Sequence, residues 1–329
     1  MGSGLDIMVS IKLIAVGDIS LQQRWTGHPF SGVFDILEEK DILFGNLEGV
    51  LSNRGRKAEK AVLLHSSPEN VKYLVDVNFD ILNVANNHVL DFGTYGLVNT
   101  LANLRNNRIE VVGASTRKFQ QRHVILDRKG IRIGFLGYAS GHFHVPRRAC
   151  LNKLSEKHIL ADIESMRQIC DFVVISLHWG TENSVYPSPK QVRLARTLVD
   201  HGATLVLGHG PHVAQGLERY GSGLIVYSLG NFNLDPTISN TRMNLSQVLR
   251  ANFSGKGISD FEVLPIRIVN GSPNLVPIAE REGAMESISR LSQQIGKGEI
   301  TVAWWYEQIA GTYLRDSVSS YRTRIRQSQ

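Results

Sequence analysis

Ile11-Lys12-Leu13-Ile14-Ala15-Val16-Gly17-Asp18 is a strand-sized apolar run that stops on a glycine and then a carboxylate, which reads as a buried strand with an acid just past its end. The same construction recurs at Ile42–Phe44, Ile81–Val84, Ile109–Val112, Phe172–Leu177, Thr204–Leu207 and Leu224–Ser228. Each run is β-branched or leucine-rich, and each is halted by a polar or glycine residue. Helical patterns fall between them. Ser67-Pro68-Glu69-Asn70 opens a helix into Val71–Val77 with proline at the first helical position, and Ser188-Pro189 opens another that Gly202 stops after about His201. This alternation predicts a layered α/β domain rather than a helix bundle or a β-sandwich.

Two segments interrupt the alternation. Val124–Leu126 and Ile131–Leu136 flank Asp127-Arg128-Lys129-Gly130, which predicts a hairpin and hence a mixed sheet. Phe261–Val269 reads as a strand, and Pro265 inside it predicts an edge position. Residues 300–329 read as helix, with Trp304, Trp305 and Tyr306 as its docking surface and Arg322, Arg324 and Arg326 as a solvated face.

Composition narrows the function. The chain has 329 residues, of which 42% are hydrophobic and 20% charged, enough apolar material for a sizeable core and too little charge for disorder. With 36 Lys plus Arg against 30 Asp plus Glu the net charge is +6, too modest over this length to predict a nucleic-acid partner. Cys150 and Cys170 form no metal-type or redox-type pair, which excludes a disulfide scaffold and fits a reducing cytosol. No run approaches the roughly 18–20 apolar residues that cross a bilayer, and residues 1–10 lack the pattern of a secretory signal. The expectation is a soluble, cytoplasmic protein. A native leader or membrane anchor stays open, because Met1-Gly2-Ser3 reads equally as a cloning remnant.

The chemistry gathers where strands end: Gly17-Asp18, then Asn46-Leu47-Glu48, Asn86-Asn87-His88, His178-Trp179-Gly180, and His209-Gly210-Pro211-His212. The carboxyl edge of a sheet is where α/β proteins place ligands. A lone strand-end histidine is more often a satisfied surface or core group, and Gly-Asp also makes ordinary turns. The set as a whole offers carboxylate, amide and imidazole but no thiolate, the donors of a site for one or two divalent first-row ions such as manganese, iron, zinc or cobalt. Gly210 and Pro211 let one turn aim the rings of His209 and His212 into a common cavity.

With Asp91, Gly93 and Gly96 following His88, and Ser228-Leu229-Gly230-Asn231-Phe232 closing the series, the order of these motifs resembles the capsule-synthesis, poly-gamma-glutamate (CapA-type) family, a branch of the calcineurin-like metallophosphoesterases. The resemblance spans about Ile11 to Phe232. It implies a four-layer αββα sandwich of two mixed β-sheets, and the chain is read as that domain over residues 11–270, an N-terminal extension at 1–10 and a helical extension at 271–329 packing on the domain. It further implies Asp18 as a ligand of one metal, Glu48 as the bridging carboxylate, and Asn87, His178 and His209 on the second metal. His212 returns to the first, and His88 is the catalytic histidine. One position departs: the family's histidine two residues after the opening aspartate is Ser20 here, which leaves a thin first-metal shell of Asp18, Glu48 and His212 and leaves open whether one or two ions bind.

On this reading the ions activate a water, His88 serves as acid/base, and Asp91 orients it. Arg24, His28 and Lys60 are candidate anion-binding groups, read first as solvated loop charge. The substrate is then an anionic polymer, a peptide or a phosphoester. Three functions compete: an enzyme or accessory factor of poly-gamma-glutamate or capsule synthesis, a metal-dependent peptide epimerase or phosphoester or peptide hydrolase, and a non-catalytic polymer- or partner-binding module. The loop at 236–257 is read as mobile cover over the cavity.

Overall fold

The strand Ile11–Ile19 sends its side chains alternately into two cores. Ile14 and Val16 join helices on one face, while Leu13 and Ala15 meet a second sheet on the other, so period-two alternation with both faces apolar makes this a central strand. The structure is a computed structural model and describes residues 9–22, 25–116, 123–141, 149–233, 245–255 and 257–309. Arg24, Arg322, Arg324, Arg326 and residues 236–244 of the expected cover loop lie outside the described residues.

On one side of Ile11–Ile19 lie the parallel strands Ile42–Leu47, Ile81–Asn83 and Glu110–Val112. On the other lie the antiparallel strands Leu245–Ser254, Gly257–Val269 and Ser272–Leu275. Short Asn231–Asn233 pairs parallel with the last residues of the opening strand, Asp18 and Ile19. The second sheet runs Leu217–Tyr220, Gly223–Val226, Leu205–His209, Phe172–His178, Ile131–Ala139 and His123–Arg128, parallel in its middle and antiparallel at both ends. The sheets pack face to face, Phe44 stacking on Phe135 with ring centroids 5.9 Å apart. Helices Val71–Asp76 and Gly93–Asn106 cover the outer face of the first sheet, and Glu156–Arg167 and Pro189–Asp200 cover that of the second. The result is the four-layer αββα sandwich of two mixed sheets. Each fully buried aliphatic or aromatic side chain in these layers contributes about 1.5–3 kcal/mol, stabilisation that offsets the cost of polar groups held out of water at the strand ends.

Several details differ from the expectations. Strands reach further at their carboxyl ends, so that Asn46, His178 and His209 belong to the ladders, with His178 and His209 direct register partners. In the hairpin Lys129 as well as Gly130 is left-handed, at φ 53° and 79°, the pair of positive dihedrals a two-residue turn requires. The described part of the stretch read as cover is not loop: Leu245–Ser254 is a strand paired with the opening strand, because its alternating apolar residues complete the core between the sheets. Gly257–Val269 is not an edge strand: it pairs on both sides, and Ser272–Leu275 is the edge. Pro265 is tolerated because its carbonyl, which accepts from Val276 N at 3.1 Å, faces the outer strand just where that ladder ends at Ile266 and Leu275, so no ladder bond needs its missing N–H. The first sheet therefore continues past residue 270, where the sequence placed the start of a helical extension. Beyond it come the helix Ile278–Gly296 and helical residues 302–309. Trp304 and Trp305 dock half-buried against the second sheet's helical layer, with the Trp305 indole donating to Tyr186 O at 3.3 Å, whereas Tyr306 stays exposed. No described helix is long and apolar enough to cross a membrane.

Candidate metal centre at the strand ends

The central strands of both sheets finish on one rim, and two glycines let them do so at close quarters. The space a Cβ of Gly17 would fill holds the carbonyl of Gly230, and that of Gly208 holds the carbonyl of Tyr227. Asp18 is thereby pinned at the rim, its N–H donating to Gly230 O at 2.9 Å. The carboxylate of Asp18 accepts from Asn46 Nδ2 at 2.8 Å and from the backbone N–H of Gly210 at 3.2 Å. His209 Nδ1 and His212 Nδ1 each stand 3.3 Å from its oxygens. Glu48, one residue past its strand, brings its carboxylate 3.7 Å from His212 Nδ1, 3.8 Å from His178 Nε2 and 4.0 Å from His88 Nε2. His212 occupies a left-handed backbone position at φ 62°, and Asn231 holds its ring by accepting at Oδ1 over 3.0 Å from Nδ1.

Asp18, Glu48 and His212 offer ligand atoms within 4.8 Å of one another, close enough to share one metal ion. Among the described residues, Glu48 Oε1 and both ring nitrogens of His209 are buried polar atoms with no hydrogen-bond partner, as are Asn87 Oδ1, next to His88 in the chain, and Ser20 Oγ, two residues past Asp18. A buried unsatisfied group costs about 1–3 kcal/mol, so a rim crowded with them calls for something that satisfies them. Each of these side chains has a lone pair to give, and carboxylate, imidazole and amide oxygen are the donors that borderline divalent ions take. The residues present therefore fit a divalent metal. Asp18 and Ser20 share a side of the chain, since Ile19 and Leu21 between and beyond them enter the helix-side core.

The electrostatics tell the same story. Burial pushes the Asp18 carboxyl up, but the close approach of the His209 and His212 imidazoles, at 3.3 Å each, and the charges of the nearby rings outweigh it and hold the group well below its ordinary range. Glu48 goes the other way, to about 8, because burial and the neighbouring Asp18 charge outweigh the His212 cation. Burial lowers His178 to about 3, leaving a neutral imidazole whose nitrogen is free to ligate. For His212 burial is overcome by Glu48 and Asp18, and its affinity for a proton rises. A carboxylate that resists ionising among lone pairs is what a cation site presents before its cation.

His88 closes the rim on the Glu48 side, and its Nδ1 lies 2.6 Å from Asp91 Oδ2. Asp91 is fully buried and also accepts from Leu64 N at 2.7 Å and Lys60 Nζ at 2.5 Å, so it faces His88 and not the cluster of donors. Of the candidate anion binders, Lys60 is thus tied to Asp91. His28 is removed from the rim, half-buried among Phe30, Phe34 and Tyr73, where burial lowers its pKa. Three contributors escaped sequence reasoning. Asn46 and Asn231 stood inside the motifs without a role, although each fixes a ligand-type side chain. Glu182, four residues after His178, is exposed yet close enough for its charge to raise both Glu48 and His212. Its spacing from His178 was the one available signal.

A four-layer sandwich that gathers two carboxylates and three imidazoles at its strand ends has a metallophosphoesterase-like fold. The solved structures similar to it include a phosphatase from Mycoplasma pneumoniae, 12% identical, covering 82% of this chain and 96% of that one at a TM-score of 0.53. A putative 5'-nucleotidase from Staphylococcus aureus is 13% identical and covers 86% of this chain and 58% of that one, also at 0.53. Residues 12–236 match the family described as bacterial capsule synthesis protein PGA_cap, and the chain belongs to that family. Among its relatives, the PGA biosynthesis protein CapA of Bacillus subtilis is 32% identical over 274 residues, spanning 78% of this chain and 72% of the relative. The capsule biosynthesis protein CapA of Bacillus anthracis is 29% identical over 311 residues, 88% and 75% of the two chains.

Proposed function

We propose that this protein is a metal-dependent enzyme of anionic-polymer synthesis or processing, cleaving a phosphoester or amide bond at the strand-end rim. The observation that carries the reading is the convergence of Asp18, Glu48 and His212 beside buried atoms of Glu48 and His209 that nothing in the protein satisfies. Asp18, Glu48 and His212 would hold one divalent ion, with Asn87, His178 and His209 as the donors for a second. Such an ion supplies Lewis-acid polarisation and an acidified water. The protein's own part is positional. Asn46 and the Gly210 N–H orient Asp18, Asn231 orients His212, and Asp91 fixes the Nδ1–H tautomer of His88 so that Nε2 faces the rim as acid/base. Asp18, Glu48 and His209 are buried at the sheet ends, which strengthens these interactions. The relatives named for PGA and capsule biosynthesis point to an anionic polymer such as poly-gamma-glutamate, or a precursor of one, as the substrate.

Elemental analysis of the purified protein tests the site, and hydrolysis of bis(4-nitrophenyl) phosphate and of γ-linked glutamate oligomers tests the chemistry. The expected result is stoichiometric transition metal, reduced in folded Asp18→Asn and His209→Ala, with metal-dependent turnover of one substrate class. A folded native protein that takes up no divalent metal would make it a polymer- or partner-binding module instead. Solvent deuterium entering an alpha carbon without cleavage would assign epimerisation.

A further inference from the structure

The segment from Ser52 to Leu64 crosses the turn that carries His88 and is fastened to it through Asp91. Ala58 N donates to Asp91 O at 2.9 Å, Leu64 N to Asp91 Oδ2 at 2.7 Å, and Lys60 Nζ to Asp91 Oδ1 at 2.5 Å. Lys60 also donates to Asn87 O at 2.7 Å and stands 3.5 Å from His88 Nδ1. One ammonium therefore grips both the peptide immediately before His88 and the carboxylate that accepts the imidazole Nδ1–H.

We propose that Lys60 is a positioning residue for His88. Asp91 has two oxygens and is fully buried, so its orientation follows its donors. With Lys60 on Oδ1, Oδ2 is left facing His88 Nδ1, and an imidazole held at Nδ1 can present only Nε2 to Glu48. Without Lys60 a buried oxygen loses its charged partner, the carboxylate turns to recover a donor, and the hydrogen bond that fixes the ring weakens. The bond to Asn87 O acts in the same direction, because that carbonyl belongs to the peptide joining Asn87 to His88. Lys60 is thereby committed inward and is not a binder of substrate anions, although about a third of its side chain is open to solvent, at 34%.

The inference rests on the role given to His88 above, and the test separates the two. Zinc-loaded protein labelled with 15N-histidine should show a downfield imidazole N–H resonance that His88→Gln abolishes. That resonance should be lost in Lys60→Met and kept in Lys60→Arg, with zinc content equal to wild type in both. On bis(4-nitrophenyl) phosphate, Lys60→Met should lower kcat about 10–100-fold with KM unchanged. Methylammonium should restore turnover to Lys60→Ala but not to Asp91→Asn. Retention of both the resonance and kcat in Lys60→Met overturns the proposal, as does loss of zinc with the resonance intact. If Lys60→Met does not fold, Lys60→Arg and amine rescue of Lys60→Ala decide it. If wild type turns over nothing, the proposed chemistry fails while the resonance still reads the positioning.

Discussion

Glu48→Gln replaces a buried carboxylate by a neutral group of the same shape, and the structure gives its effect opposite signs with and without metal. The Glu48 carboxyl is raised from 4.5 to about 8, first by burial and then by Asp18. A group raised in the folded state holds its proton more tightly there, so the unfolded chain ionises first and stability falls as pH rises from about 4.5 through about 8. His212, also raised, contributes in the same direction: its stabilisation is complete below its ordinary value of 6.5 and is lost as pH rises through about 10. At about 1.4 kcal/mol per unit the Glu48 penalty, with the attraction of the His212 cation already in it, is on the order of 5 kcal/mol when fully ionised, and the buried glutamine amide that replaces it gives back part of the gain. Removing the carboxylate should stabilise the metal-free protein by about 2 kcal/mol at pH 8.5 and do little at pH 5. With metal at a hundredfold excess over its Kd, wild type should gain about 2.7 kcal/mol and the variant almost nothing. The metal effect should also grow with pH, because the ligands must be deprotonated. Urea melts at both pH values, with EDTA or Mn2+, measure all of this. If Glu48→Gln in EDTA at pH 8.5 is less stable than wild type, and metal stabilises both equally, the assignment of Glu48 to a cation site is wrong.

Three further outcomes follow from particular contacts. Asp91→Asn should leave metal content unchanged yet cut turnover about 10–100-fold, because Asp91 orients His88 without facing the donor cluster; equal kcat for variant and wild type would refute that role. Gly208→Ala should cost at least ~3 kcal/mol in urea melts, because a methyl there overlaps the Tyr227 carbonyl and meets the Trp179 indole, and a variant as stable as wild type would show that the sheet ends are looser than described. Arg196→Met should destabilise by about 3–5 kcal/mol, since Arg196 makes a two-bond contact with the largely buried Glu218, whose carboxylate also accepts from Tyr227; a double variant with Glu218→Gln should recover part of the loss in the same melts.

The rim residues were legible in the sequence because each strand advertises its own end. An apolar run has to stop, and the side chain at the stop, Asp18, Glu48, His178 or His209, is named by position without knowledge of any partner. Pro265 misled because proline reports only a missing N–H, not which side of the strand that N–H would have faced. Lys60 misled for a related reason. A lysine in the charged stretch 53–60 looks solvated until the chain brings Asp91, 31 residues away, beneath it.

The layered α/β architecture and the identity of the metal-type donors are local properties, written in periodicity and in residue chemistry, and the amino-acid sequence settles them unaided. Which donors share one centre is decided only in three dimensions. Asp18 meets the Gly210 N–H across 192 positions of chain, and Asn46, Asn231 and Asp91 become orienting groups only because two sheets stack and bring their strand ends onto one rim. Hydrogen bonds and charge act over a few ångströms of space, whatever the separation along the chain.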